Sequence, residues 1–236
     1  MFEQGNLPAN VVVIIPALNE ENSIGKVLQD IPQELNTQVI VVDNGSLDKT
    51  AEVARQYGAI VVEEKQRGYG RACLAGMDAA KKLDPDVIVF LDADYSDFPE
   101  DMVALTDPIF TNDFDLVIGS RVRGEREKGA LLPQARFGNW LASFLIRMFW
   151  GFQYTDLGPF RAIKWRALEK LNMKDKTFGW TVEMQVKTLQ QNLKVAEVPV
   201  RYRKRIGVSK VTGTLSGTIK AGYKILWTIF KYRFFD

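Results

Sequence analysis

The chain has 236 residues, of which 46% are hydrophobic, and this size and composition suit one globular domain with a sizeable core. It contains no histidine, which excludes a Ser-His-Asp triad and zinc sites built on imidazole, so catalysis must use carboxylates, basic side chains, backbone groups or a metal. Its single cysteine, Cys73, excludes an internal disulfide and favours a reducing compartment. The sequence predicts neither a signal peptide nor a membrane-spanning segment.

Short apolar runs alternate with helical patterns through the first half of the chain. The strands are rich in β-branched residues, which is typical of buried strands, and alanines favour the longest helix. This alternation predicts an α/β fold with a mostly parallel central sheet and helices on both faces. The predicted strands are 11–15, 39–42, 60–62, 87–91 and 116–118, and the predicted helices are 23–28, 48–57, 70–83 and 99–106.

The second half of the chain is less regular. The spacing predicts helices at 136–152, 165–171, 180–191 and 215–235, and a strand at 195–200. Pro199 places that strand near a sheet edge, because proline lacks a ladder donor. Helix 136–152 carries apolar residues in an i, i+3, i+4, i+7 pattern and is strongly amphipathic. We therefore divide the chain into a main domain at 1–212 and a basic amphipathic C-terminal helix at 213–236.

Charge is unevenly distributed along the chain. The net charge is +2, yet residues 201–236 contain nine Lys or Arg and one acid. This basic end predicts an anionic partner, either phosphate groups or an anionic membrane surface. Nucleic acid is not expected, because the acidic strand ends described next would repel its backbone.

Polar and acidic residues follow three of the predicted strands. Asp92 and Asp94 end strand 87–91, while 16–21 and 43–50 follow the first two strands. In open α/β sheets the carboxyl ends of the strands bind ligands. Two carboxylates there suit Mg²⁺ or Mn²⁺. Each segment taken alone also fits a helix cap or a turn.

The segment Gly68-Tyr69-Gly70 precedes a predicted helix. It does not meet the dinucleotide-binding fingerprint, because Cys73 replaces the third glycine and the loop follows the third strand rather than the first. Two interpretations stay open. The helix N-terminus and Arg71 face a phosphate, or the glycines only form a tight turn at the start of a helix.

These motifs, in their order and spacing, resemble the family 2 glycosyltransferases of the GT-A fold, the fold of nucleotide-diphospho-sugar transferases. The nearest resemblance is to dolichyl- or polyprenyl-phosphate hexose (mannose or glucose) synthases. The segments that carry it are 16–20, 43–50, 68–72, 92–94, 119–121, 158–161, 182–184 and 207–210.

The resemblance implies a role for each matching residue. Its nucleotide-sugar-binding residues are Pro16, Ala17, Asn19, Glu20, Asp43, Gly70, Arg71, Asp92, Ala93, Asp94, Arg121, Ser209 and Lys210; its catalytic residues are Asp92, Asp94, Arg121, Glu183 and Arg205. Asp92 and Asp94 would hold Mg²⁺ or Mn²⁺. Ser96 stands where some relatives have a glutamine ligand, and Lys204 is an alternative to Arg205.

The predicted function is inverting, metal-dependent transfer of a hexose to a polyprenyl phosphate. The donor would be a sugar nucleotide of the GDP-mannose or UDP-glucose type, and the enzyme would bind peripherally at the cytoplasmic face of the membrane, with a membrane protein or a second copy as a further partner. Helices 136–152 and 215–235 would contact the core in part and the membrane interface in part. Two alternatives are a hydroxyl acceptor with Glu183 as base, and a non-catalytic module that binds a sugar nucleotide or a membrane.

Overall fold

A computed structural model describes residues 9–207 and 215–235. Within them, seven strands form one sheet in the order β3-β2-β1-β4-β6-β5-β7. The strands are β1 Val11–Ala17, β2 Thr37–Asp43, β3 Ile60–Glu63, β4 Val87–Phe90, β5 Leu116–Ser120, β6 Arg161–Lys164 and β7 Val195–Pro199. The helices are α1 Ile24–Gln29, α2 Thr50–Gln56, α3 Tyr69–Ala80, α4 Met102–Asn112, α5 Pro133–Trp150, α6 Trp165–Leu171, α7 Trp180–Gln190 and α8 Leu215–Phe234.

The sheet is mostly parallel, as predicted, with one antiparallel strand that the sequence did not reveal. Strand β6 lies between β4 and β5 and runs opposite to both. It has only two apolar residues between Arg161 and Lys164, so it shows no hydrophobic run. Strand β7 lies at the edge of the sheet beside β5, which confirms the position predicted from Pro199.

The core consists of two apolar layers, one on each face of the sheet. Residues of β1 alternate between them, with Ile14 packed in the layer that contains Trp180 and Ile15 in the layer that contains Met102. Burying a side chain of this size contributes about 1.5–3 kcal/mol. Helices on both faces account for the continuous apolar runs of the central strands.

The apolar residues of α5 are divided between core and surface. Ala142 and Ile146 are buried, whereas Phe137, Trp140, Phe144 and Met148 are each more than half exposed. Helix α8 packs against α5, with the rings of Phe149 and Phe230 5.8 Å apart. None of the helices within the described ranges combines the length and apolar character needed to cross a bilayer.

Candidate active site

The first two strand ends lie side by side at one edge of the sheet. Ala17 and Asp43 are neighbours in the parallel register of β1 and β2. The loops that follow are joined by hydrogen bonds, since the Asn19 N–H donates to Ser46 Oγ at 3.0 Å and the Leu47 N–H donates to Asn19 Oδ1 at 2.8 Å. The two strand ends therefore bring together five of the residues predicted to bind the nucleotide sugar, which are Pro16, Ala17, Asn19, Glu20 and Asp43.

Asp92 and Asp94 follow β4 at the same edge of the sheet, with the buried Ala93 between them. Asp94 is buried and Asp92 is partly exposed. Burial and the neighbouring charge of Asp94 raise the pKa of Asp92 to about 7, although Arg205 and Arg121 act in the opposite direction. The charge of Asp94 disfavours ionisation of Asp92, and a bound cation would offset that repulsion.

Residues 92–97, which follow β4, form a loop that we call the aspartate loop. The segment that follows β7 crosses this loop. The Arg203 N–H donates to the Ser96 carbonyl and the Ile206 N–H donates to the Asp94 carbonyl, both at 2.9 Å. Arg205 Nη2 lies 2.5 Å from Asp94 Oδ2. Lys204 instead lies on the surface, 3.3 Å from the Glu127 carboxylate, so Arg205 is the basic residue at the aspartates. Ser209 and Lys210 lie outside the described residues.

Arg121, at the end of β5, is held by an acid that the sequence analysis missed. Its Nε and Nη2 donate to Asp156 at 2.8 and 2.7 Å, and its backbone N–H donates to the same carboxylate at 2.8 Å. Asp156 is fully buried. Burial alone would raise the pKa of Asp156, but the Arg121 guanidinium holds it below its usual range. Asp156 lies two residues before the motif 158–161, which was the only sequence signal for it.

Asp97 is a second acid near the site that the sequence analysis did not select. It is almost fully buried, and among the described residues neither of its carboxylate oxygens has a hydrogen-bond partner. Burial and the charge of Asp92 raise its pKa well above the usual range. Asp97 is therefore a desolvated carboxyl group whose charged form is disfavoured.

The start of α3 has its first N–H groups occupied by the protein itself. The Gly70 N–H donates to the Thr177 carbonyl at 3.2 Å and the Arg71 N–H donates to the Lys176 carbonyl at 3.1 Å. A Cβ on Gly70 would lie 2.1 Å from the Asp175 carbonyl oxygen. Close packing of the chain therefore accounts for Gly70, and these two N–H groups are not open to a phosphate.

Glu183 lies in a closed polar cluster. Its carboxylate is fully buried and accepts hydrogen bonds from the Lys174 and Asp175 N–H groups at 2.9 and 2.7 Å and from Tyr232 Oη at 2.6 Å. Lys187 Nζ lies 2.8 Å away. A general base must reach the proton that it removes, so this environment argues against Glu183 as the base for a hydroxyl acceptor.

A groove of about 620 Å³ runs along α5 next to Arg121 and Asp156. It reaches Val122 and Thr155, the chain neighbours of that ion pair, and Ser120 Oγ lies 2.7 Å from Thr155 Oγ1. The groove combines aromatic and basic side chains. The aromatic residues are Phe137, Trp140 and Phe144, and the basic residues are Arg126, Arg136 and Arg147. The sequence pattern predicted that the aromatic residues lie on an amphipathic helix, but no motif indicated these arginines.

The aspartate loop has the donors that a magnesium-type ion needs from a protein. Asp92 and Asp94 supply hard oxygen atoms, and the Arg205 guanidinium already holds the position of a cation against Asp94. No group of three or more His, Cys, Asp or Glu side chains within 9–207 and 215–235 is arranged to hold a metal. Two carboxylates are enough protein ligands for an ion whose other ligands come from water and substrate phosphates.

Comparison with known proteins assigns the chain to a family. Residues 12–171 match the model of Glycosyl transferase family 2. The chain is 30% identical over 230 residues to an uncharacterised protein of Methanocaldococcus jannaschii, which covers 95% of this chain and 93% of that protein. It is 31% identical over 205 residues to a dolichyl-phosphate hexose transferase of Haloferax volcanii, which covers 86% of each chain.

A solved structure with a similar fold is glucosyl-3-phosphoglycerate synthase of Mycobacterium tuberculosis, in complex with Mn²⁺, UDP and glucosyl-3-phosphoglycerate. It superposes with a TM-score of 0.74 at 22% identity, over 96% of this chain and 80% of that one. The protein therefore belongs to glycosyltransferase family 2. It is a glycosyltransferase with the GT-A fold, and both predictions are confirmed.

Proposed function

We propose that this glycosyltransferase moves a hexose from a nucleoside-diphosphate sugar to a polyprenyl phosphate, with inversion at the anomeric carbon and with Mg²⁺ or Mn²⁺ bound. The observation that carries the proposal is the groove on α5, where arginines and aromatic rings lie together beside Arg121. The arginines of such a groove suit a phosphate, and its aromatic rings suit an isoprenoid chain.

The donor half of the proposal rests on the neighbouring ends of β1, β2 and β4. The loops after β1 and β2 would receive the nucleoside, and Asp92 and Asp94 would hold the metal. A bound divalent cation would neutralise charge that develops on the departing diphosphate. Arg205 and Arg121 would add positive charge at the same place, and Arg121 would do so from a fixed position because Asp156 orients it.

The acceptor half rests on the groove and on the lack of an accessible base at Glu183. A phosphate monoester has a second pKa of about 6, so it attacks as an anion without a positioned base. A hydroxyl acceptor would need one, and the Glu183 carboxylate is fully buried. The similarity to a dolichyl-phosphate hexose transferase supports a lipid phosphate.

The exposed apolar residues of α5 and α8 support peripheral attachment at the cytoplasmic membrane face. On α5 these residues are Phe137, Trp140, Phe144 and Met148, and on α8 they are Ile219, Tyr223 and Phe234, each more than half exposed. Exposed basic residues on α8, such as Lys220 and Arg233, would contact anionic headgroups. A lipid acceptor would then reach the groove from the bilayer.

The test compares acceptors with the purified protein. UDP-glucose and GDP-mannose, each radiolabelled in the sugar, are incubated with polyprenyl phosphate, polyprenol or 3-phosphoglycerate, in Mg²⁺ or Mn²⁺ and in excess EDTA. We expect an organic-phase product from polyprenyl phosphate that requires the metal. Transfer to polyprenol or 3-phosphoglycerate but not to polyprenyl phosphate would refute the proposed acceptor, and full activity in EDTA would refute the metal.

Arg136→Gln tests the groove directly. Arg166→Gln is the matched control, because Arg166 is an exposed arginine on α6 outside the groove. A phosphate contact of this kind is worth about 1.5–3 kcal/mol. We therefore expect Arg136→Gln to raise the KM for polyprenyl phosphate about tenfold or more, whereas Arg166→Gln leaves it unchanged. Equal KM values for both variants would remove the groove as the acceptor site.

A further inference from the structure

Arg205 makes a direct ion pair with one of the two proposed metal ligands. Its Nη2 lies 2.5 Å from Asp94 Oδ2, and the Ser96 N–H donates to Asp94 Oδ1 at 2.9 Å. Both carboxylate oxygens of Asp94 are thus engaged within the protein. A metal that takes the position now occupied by the Arg205 guanidinium at Oδ2 must displace that guanidinium.

We propose that Arg205 is an internal counter-ion of the metal site, which holds Asp94 until the metal and the donor diphosphate arrive together and exchange it. This inference rests on the proposed function, because it assumes that Asp94 binds a metal beside a diphosphate. The diphosphate supplies the partner that Arg205 takes when it leaves Asp94. Metal and nucleotide therefore assist one another in binding.

The backbone around Arg205 is fixed, so the exchange needs only a side-chain movement. The Arg203 N–H and the Ile206 N–H are both hydrogen bonded to the aspartate loop. Arg203 is further held with its guanidinium carbon 4.1 Å from the centre of the Phe98 ring. The Arg205 side chain is 30% exposed, and an arginine has enough rotatable bonds to swing from a carboxylate to a neighbouring phosphate.

The energetic consequence is a penalty on metal binding in the absence of nucleotide. When only a fraction of the protein molecules is in the state that can bind a ligand, the apparent affinity equals the intrinsic affinity multiplied by that fraction. If the ion pair keeps Asp94 closed in about nine molecules of ten, its removal tightens binding of the free metal about tenfold. The same removal weakens the coupling between metal and nucleotide, because the nucleotide then has no ion pair to displace from Asp94.

The experiment measures Mn²⁺ binding by the electron paramagnetic resonance signal of the free ion, with and without UDP or GDP. The test variant is Arg205→Gln, and the matched control is Lys204→Gln. The control removes the same charge at the adjacent residue, whose side chain is paired with Glu127 instead of Asp94. We expect Arg205→Gln to bind Mn²⁺ about tenfold more tightly than wild type without nucleotide and to lose the enhancement by nucleotide. Lys204→Gln should match the wild type in both measurements.

The proposal is overturned if Arg205→Gln binds free Mn²⁺ no more tightly than wild type, or if Lys204→Gln shows the same gain. Arg205→Met replaces the glutamine variant if circular dichroism shows that the latter is unfolded. Asp94→Asn separates this inference from the proposed function. Unchanged Mn²⁺ binding by Asp94→Asn would show that the metal is not at Asp94, whereas loss of binding with no effect of Arg205→Gln would refute the counter-ion alone.

Discussion

Replacement of Asp156 by asparagine removes one partner of the ion pair that holds Arg121. The pair has side-chain contacts of 2.8 and 2.7 Å, and the two side chains are 13% and 0% exposed. Solvent therefore screens it little. Breaking a buried pair by removing one partner costs about 3–5 kcal/mol, because the other charge stays buried without compensation.

The expected effect is large enough to measure by thermal and urea denaturation. For a chain of this size, 1 kcal/mol lowers Tm by about 2–4 °C, so Asp156→Asn should lower it by roughly 10 °C. Asp113→Asn is the matched control, since Asp113 pairs with Lys164 and Lys194 but is 76% exposed. Pairs of that kind contribute about 0–1 kcal/mol.

A double-mutant cycle separates the ion pair from general disruption of the loop. The variant with both Arg121→Gln and Asp156→Asn should be more stable than the sum of the two single losses predicts, by about 1 kcal/mol or more, because neither partner then leaves the other unpaired. A loss below 1 kcal/mol for Asp156→Asn, or additive losses in the cycle, would refute the conclusion that the pair is a buried, mutually dependent unit.

Three further predictions concern the aspartates, the membrane and the stereochemistry. Because the folded pKa of Asp92 is raised to about 7, the folded state binds a proton between its unfolded pKa of about 4 and that value. The wild type should therefore lose stability as pH rises from about 4 to 7, whereas metal-free Asp92→Asn should not, so its free energy of unfolding should rise relative to wild type over that range. A stability difference between the two proteins that is the same at pH 3 and pH 8 would contradict this. Phe144→Ser should weaken co-sedimentation with anionic liposomes, whereas Phe110→Ser, a change at an exposed phenylalanine on α4, should not; binding that ignores lipid charge and salt would argue against the membrane surface. An α-linked donor should yield a β-linked product, as read from the anomeric proton by NMR, and an α-linked product would exclude single displacement.

Much of the fold follows from local sequence patterns. A strand buried on both faces must be apolar at consecutive positions, so β1 and β4 were predicted from their composition. Helix boundaries were less well predicted. Helix α4 was expected to end at Thr106 but continues to Asn112 through Pro108, and β6 was missed because pairing with β4 and β5, rather than its own four residues, makes it a strand.

The sequence by itself determined the family and the chemical composition of the site: acids at the strand ends, an arginine after β5 and a basic segment after β7. Only the tertiary structure decided which of these groups meet. Arg121 and Asp156 are 35 residues apart in the chain, and Arg205 rather than Lys204 reaches Asp94. The tertiary structure also buries Glu183 inside a polar cluster and pairs N–H groups at the start of α3 with backbone carbonyls. The reason is physical: an ion pair or a desolvated carboxylate depends on distance and burial, and neither quantity is set by neighbours along the chain.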